Sequence, residues 1–180
     1  MNITVYCGSA VGNSPEYKKS AVELGTWIGE NGHTLVYGGG SVGLMGILAD
    51  AVLNAGGEAI GITPDFFIKR EVIHNSLSAL EVVPTMSARR DRMLELGDAY
   101  IAMPGGIGTL DEISEALSLR KLGIHDKKCI FLNTCGFYDK TREVLKEMVE
   151  KEFYDSEQFE DIVFAKDANI IKIQDGKVIQ

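Results

Sequence analysis

The stretch Ala99-Tyr100-Ile101-Ala102-Met103-Pro104-Gly105-Gly106-Ile107-Gly108-Thr109-Leu110-Asp111-Glu112 decides the fold. Residues 99–103 read as a buried strand, the glycines as a turn, and residues 110–122 as a helix. A glycine-rich turn between a strand and a helix aims backbone N–H groups into the space beyond the sheet edge. There the helix dipole and the free donors favour a phosphate. Glu112 is expected on the first turn of that helix, beside the anion. A carboxylate so placed is unfavourable unless chemistry uses it. The stretch therefore predicts a catalytic site for a phosphorylated substrate.

The same alternation runs outward in both directions. Residues 3–7 form an apolar strand with Gly8-Ser9 as its exit turn. Ser14-Pro15-Glu16 supplies an N-cap, a first-turn proline and an acid for a helix reaching about Asn31, closed by Gly32. Residues 34–37 and 58–62 read as strands around a helix at 44–55. Residues 63–78 hold Pro64 and two phenylalanines without periodicity, a long loop of the kind that is often functional. A strand at 80–83, a helix at 87–96, a strand at 128–133 and an amphipathic helix at 138–152 follow. Near the end, Asp175-Gly176 reads as a hairpin turn, with a helix from Asp167 as the alternative. Strands alternating with helices imply right-handed crossovers, hence a three-layer αβα Rossmann-like fold with a mostly parallel central sheet. Ligands of such sheets bind beyond the strand carboxyl ends. Three glycine-rich turns share that edge: Gly8-Ser9, Gly38 to Gly43, and Gly105 to Thr109.

The 180 residues fit one domain, 1–180, with no internal repeat or linker. No apolar run approaches the ~18 residues a membrane span requires, and Met1-Asn2-Ile3-Thr4-Val5 lacks signal-peptide character. A cytoplasmic location is expected. The net charge of −8 repels nucleic acid and anionic membrane, so a small molecule is the expected partner. Cys7, Cys129 and Cys135 show no metal-type pairing and read as buried reduced thiols, although Cys7, near a strand end, keeps a nucleophile reading open. His33, His74 and His125 lack ligand spacing and read as solvated or loop residues, so no metal is expected.

Two further motifs each admit more than one reading. Gly38-Gly39-Gly40-Ser41-Val42-Gly43 fits G-x-G-x-x-G, but it follows the second strand, and Glu58 begins the third strand instead of ending it. That disfavours a dinucleotide site and leaves a close helix–strand approach or backbone contact with a ligand through Gly39 and Gly40. In Met86-Ser87-Ala88-Arg89-Arg90-Asp91-Arg92-Met93 the three arginines cannot share one helix face. They read either as a solvated face paired with acids such as Asp91 and Glu95, or as a site in which Arg89 or Arg90 clamps a phosphate or holds Glu112 ionised.

With these motifs assembled the sequence resembles the LOG proteins, cytokinin riboside 5′-monophosphate phosphoribohydrolases long labelled possible lysine decarboxylases. The family pattern P-G-G-x-G-T-x-x-E stands complete as Pro104, Gly105, Gly106, Gly108, Thr109 and Glu112. Tyr6-Cys7-Gly8-Ser9, the run Leu35 to Gly46, and Leu122-Gly123-Ile124-His125-Asp126-Lys127 also match. The family's M-H-x-R-K is answered by Met86-Ser87-Ala88-Arg89-Arg90, with serine for histidine and arginine for lysine.

The resemblance implies hydrolysis of a nucleoside 5′-monophosphate, either a cytokinin riboside monophosphate or AMP, to free base and ribose 5-phosphate. It assigns catalysis to Arg89 and Glu112. It assigns substrate binding to Gly106, Ile107, Gly108, Thr109, Leu110 and Asp111, and to Gly8, Ser9, Gly39, Gly40, Met86 and Arg90. A family glutamate falls on Glu71, and a family threonine on Ser118, which keeps the hydroxyl. No metal or redox cofactor is implied, and a homodimer is. The alternative on the same fold is a non-catalytic nucleotide or molybdenum-cofactor carrier. A pyridoxal-phosphate decarboxylase is disfavoured because nothing resembles a Schiff-base lysine site.

Overall fold

The computed structural model describes residues 1–68, 73–168, 173–174 and 177–178. Seven strands form one sheet: β1 (Asn2–Tyr6), β2 (Thr34–Tyr37), β3 (Glu58–Pro64), β4 (Ala79–Val83), β5 (Ala99–Ala102), β6 (Cys129–Leu132) and β7 (Val163–Ala165). Every pairing is parallel, in the order β4-β3-β2-β1-β5-β6-β7. The chain builds outward from β1 in one direction and then restarts at β5 on its other side. A crevice opens at that reversal, beyond the carboxyl ends of β1 and β5.

Parallel strands covered on both faces need unbroken apolar runs. All of β5 and β6 is accordingly buried. Alternate residues serve opposite cores. Ile3, Val5, Leu35, Tyr37, Ile101 and Ile130 pack toward α1 (Pro15–Glu30) and α2 (Gly43–Asn54). Val36, Tyr100, Ala102 and Phe131 pack with Met93, Ile113 and Leu117 of α4 (Met86–Leu96) and α5 (Ile107–Lys121). A short helix α3 (Asp65–Ile68) follows β3, while α6 (Asp139–Glu150) and α7 (Ser156–Glu160) lie between β6 and β7. Among the described residues no helix is long and apolar enough to cross a membrane.

Helices α1 and α2 touch through small residues. A Cβ added at Gly25 would lie 2.6 Å from both the Leu48 carbonyl oxygen and the Ala51 Cβ. Replacing glycine by alanine within a helix gains about 1 kcal/mol of propensity. Overpacking against rigid backbone costs about 1–3 kcal/mol. Gly25→Ala is therefore expected to lower the melting temperature, and a higher one in thermal denaturation would contradict this close crossing.

Several expectations are adjusted. Helix α5 begins at Ile107, not at 110, because Gly106 takes the N-cap position and the next three residues are already helical. Glu112 consequently sits on the second turn. Within the long segment 63–78, β3 extends to Pro64, α3 follows, and Ile73 bridges Gly40. Glu71 lies outside the described residues. Strands β8 (Ile173–Gln174) and β9 (Lys177–Val178) pair antiparallel, in line with the hairpin reading; Asp175 and Gly176 themselves lie outside the described residues.

Cys129 is buried and Cys7 half-buried, but Cys135 is exposed at φ 55° in the short 3₁₀ turn Thr134–Gly136. All three histidines lie in loops, as expected, and each is tied to the fold by a neighbour. His74 is buried, with Nε2 3.0 Å from Asp50 Oδ1 and Nδ1 accepting from the Ser76 N–H. His125 Nε2 donates to the Ala116 carbonyl, and His33 packs edge-on to Trp27.

Candidate active site

Backbone bonds lace three turns together at the crevice. The Gly8 N–H donates to the Pro104 carbonyl (3.2 Å), and the Gly8 carbonyl accepts from Leu44 N–H at the start of α2 (3.1 Å). The Tyr138 hydroxyl donates to the Met103 carbonyl (2.6 Å), fixing the end of β5. At Gly105 a Cβ would come within 2.8 Å of Thr109 Cβ and 3.0 Å of the Gly8 nitrogen. Only glycine lets this turn fold back so closely on its own helix.

The N-terminus of α5 is built differently from those of α1 and α4. The Ser14 and Thr85 side chains accept backbone N–H bonds from Glu16 and Ala88 at those two helix starts. Gly106 caps α5 with no side chain, the first turn carries no acid, and the first helical bond runs from Leu110 N–H to the Gly106 carbonyl. The N–H groups of Ile107, Gly108 and Thr109 thus project beyond the helix end without a side-chain cap. That arrangement suits a phosphate.

Helix α4 packs over β3, β2 and β1 on its way from β4 to β5, and its three arginines diverge as helix geometry requires. Arg92 pairs with Glu81 (2.9 Å) and Glu95 (2.7 Å). Arg90 pairs with Glu115 (2.8 Å) and Asp111 (3.3 Å), which ties α4 to α5. Arg89 alone turns inward, with Nη2 4.0 Å from Glu112 Oε1. Only 11% of either side chain is exposed. Among the described residues the Arg89 Nε has no hydrogen-bond partner, and Nη1 reaches only Met86 Sδ at 3.9 Å. A guanidinium so poorly satisfied inside a protein carries donors ready for an anion.

Burial is the largest influence on Glu112 and pushes its carboxyl up to about 7, the Arg89 and Arg90 charges opposing and Asp111 and Glu115 reinforcing. This corrects the expectation that Arg89 keeps Glu112 fully charged. At 4.0 Å, without a direct hydrogen bond, the attraction is weaker than the desolvation cost. Burial and the Glu112 charge also push the Cys7 thiol well above its ordinary value, against Arg89. Cys7 is a neutral thiol in the wall, and the nucleophile reading is withdrawn.

One cleft of about 350 Å³ collects Gly8, Ser9, Met86, Arg89, Gly106, Ile107, Gly108, Thr109 and Glu112. Cys7, Met45 and Phe67 complete it. Met45 and Phe67 are contributed by the start of α2, just beyond the Gly38 to Gly43 turn, and by α3 in the long segment after β3; neither residue was among those expected to bind substrate. The remaining expected binding residues stand elsewhere. Gly39 and Gly40 do not line the cleft, and their carbonyls accept from the His74 N–H and the Tyr37 hydroxyl. Leu110 packs against the core, and Asp111 is exposed beside Arg90. Ser118 is exposed more than two helical turns beyond Thr109. Two clefts of about 390 Å³ open elsewhere but contain none of the expected residues. Among the described residues no cluster of three or more His, Cys, Asp or Glu side chains has the arrangement to hold a metal ion.

The profile of the family described as "Possible lysine decarboxylase" matches residues 45–173. Cytokinin riboside 5′-monophosphate phosphoribohydrolase LOG1 of Arabidopsis thaliana is 42% identical over 151 residues, covering 84% of this chain and 71% of that protein. The chain belongs to the LOG family. The rice (Oryza sativa subsp. japonica) phosphoribohydrolase LOG is 46% identical over 137 residues, 76% of this chain, and here the chain spans only 57% of its relative's length. Among solved structures, a structural-genomics target is 27% identical with a TM-score of 0.72, covering 93% of this chain and 94% of that one. The molybdenum cofactor carrier protein of Chlamydomonas reinhardtii superposes with a TM-score of 0.71 over 93% of this chain and 91% of its own, at 22% identity, a likeness of fold alone. Both departures from the LOG motif, Ser87 and Arg90, lie outside the cleft lining. Ser87 is exposed and Arg90 faces two carboxylates.

Proposed function

We propose that the chain hydrolyses the N-glycosidic bond of a nucleoside 5′-monophosphate, AMP or a cytokinin riboside monophosphate, to free base and ribose 5-phosphate. The observation that carries this reading is the buried Arg89–Glu112 pair beside the uncapped start of α5. The N–H groups of residues 107–109 hold the 5′-phosphate, which leaves Glu112, one turn further on, near the sugar. As the C1′–N bond breaks, its electrons leave with the base, and positive charge develops on the ribose. An ionised Glu112 stabilises that charge and accepts the proton of the water that attacks C1′, while the departing base takes up a proton from solvent. Arg89 orients the carboxylate and opposes its neutralisation.

A pure carrier has little use for a carboxylate close to a bound phosphate, which weighs against the carrier alternative. Met45, Phe67, Met86 and Ile107 give the cleft an apolar wall, which supports a base with an apolar N6 substituent. The homodimer belongs to the same proposal: α5 ends among Leu122, Ile124 and Phe153, all strongly exposed, an apolar surface that a second copy would cover.

The test is steady-state release of base from AMP and from isopentenyladenosine monophosphate. Free base and ribose 5-phosphate are expected from at least one of them. Failure to release base from either nucleotide would refute the reading.

A further inference from the structure

Gly38, directly after β2, is fully buried, and its φ lies outside the left-handed region, unlike that of Gly39 at +79°. Its backbone therefore suits any residue, and conformational freedom does not explain a glycine there. Space does. A Cβ at this position would overlap Arg89 Nη2 outright and lie 3.1 Å from Arg89 Cζ and 3.3 Å from Met45 Sδ. All three nearest atoms belong to side chains; at Gly25, by contrast, backbone atoms of α2 stand in the way. The nitrogen that occupies the space is the same Nη2 that faces Glu112 Oε1.

We propose that Gly38 is a positioning residue for the Arg89–Glu112 pair: its missing side chain reserves the seat of the Arg89 guanidinium and so holds that group opposite Glu112. The inference rests on the functional reading above for its consequence in catalysis. The obstructed atom is the tip of a flexible side chain, so the fold can accommodate a methyl group at residue 38 by moving the guanidinium. Misplacing a catalytic group by about 1 Å can cost ~10²-fold in rate.

The test compares wild type, Gly38→Ala and Arg89→Ala by thermal melting, rate of base release, and titration of the ¹³C-labelled Glu112 carboxyl followed by NMR without substrate. Gly38→Ala is expected to melt close to wild type and to lose about 10–100-fold in rate. Its Glu112 should titrate at higher pH, in the same direction as in Arg89→Ala. A wild-type rate would overturn the proposal, and so would a slowed enzyme whose Glu112 titration has not moved. If Gly38→Ala fails to fold, Gly38→Ala combined with Arg89→Ala must fold, because the obstructing guanidinium is gone; a double variant that also fails would overturn the proposal. Should no form release base, the functional reading falls, while the Glu112 titration still decides what Gly38 does.

Discussion

Glu112→Gln is expected to release base at least ~10²–10³-fold more slowly than wild type, the loss typical when one transition-state-stabilising group is removed. The amide keeps the shape of the carboxyl but can neither take a proton from water nor offset charge on the ribose. The same variant is expected to be more stable at alkaline pH. Glu112 is nearly buried, and its carboxyl is raised from an ordinary 4.5 to about 7. Between those values the folded protein holds a proton that the unfolded chain has lost, so stability falls as pH rises through this window. By pH 8 the cost is on the order of 3 kcal/mol. Glutamine imitates the protonated acid and escapes that cost. Denaturant unfolding should show the two proteins close near pH 5 and the variant ahead at pH 8. Equal stability at both pH values would mean that Glu112 is not held out of water as described.

Arg89→Ala should lose at least as much activity at pH 7, by two routes that pH separates. The guanidinium is the strongest influence holding the Glu112 carboxyl down, so its removal moves that titration upward from about 7. The rate of base release is expected to rise with pH as Glu112 ionises, and in this variant it should rise later. Raising the pH recovers the part lost through Glu112 and leaves the part lost through direct contact with substrate. A pH–rate profile whose ascending limb coincides with that of wild type would show that Arg89 does not govern Glu112. The partner arginine, Arg90, provides the contrast: its charge already faces Asp111 and Glu115.

Much of this was legible along the chain. Ser14-Pro15-Glu16 marked the start of α1 because its capping chemistry is local. The apolar run at 99–103 marked a central strand, since a parallel strand covered on both faces has no polar side to display. The start of α5 was read three residues late: Gly106-Ile107-Gly108 looks like a turn by composition, and glycine is tolerated where a helix has not yet begun its own bonds. The histidines fall in loops, as their surroundings in the sequence imply, but their partners lie on other elements and leave no local signal. His74 meets Asp50 on another element, and His125 meets Ala116.

The sequence by itself determined the α/β class, the phosphate-suited turn and the family pattern, and it offered an arginine and a glutamate as candidate reactive groups. Those signals are local, carried by glycine spacing, caps and apolar periodicity. The family pattern singled out Arg89, but only the tertiary structure decided that it turns inward, that burial outweighs its attraction for Glu112, and that Gly38 seats it. These depend on α4, α5 and the end of β2 meeting in one place, and on the water that their meeting excludes. Desolvation and steric space are properties of that assembly, and no single segment encodes them.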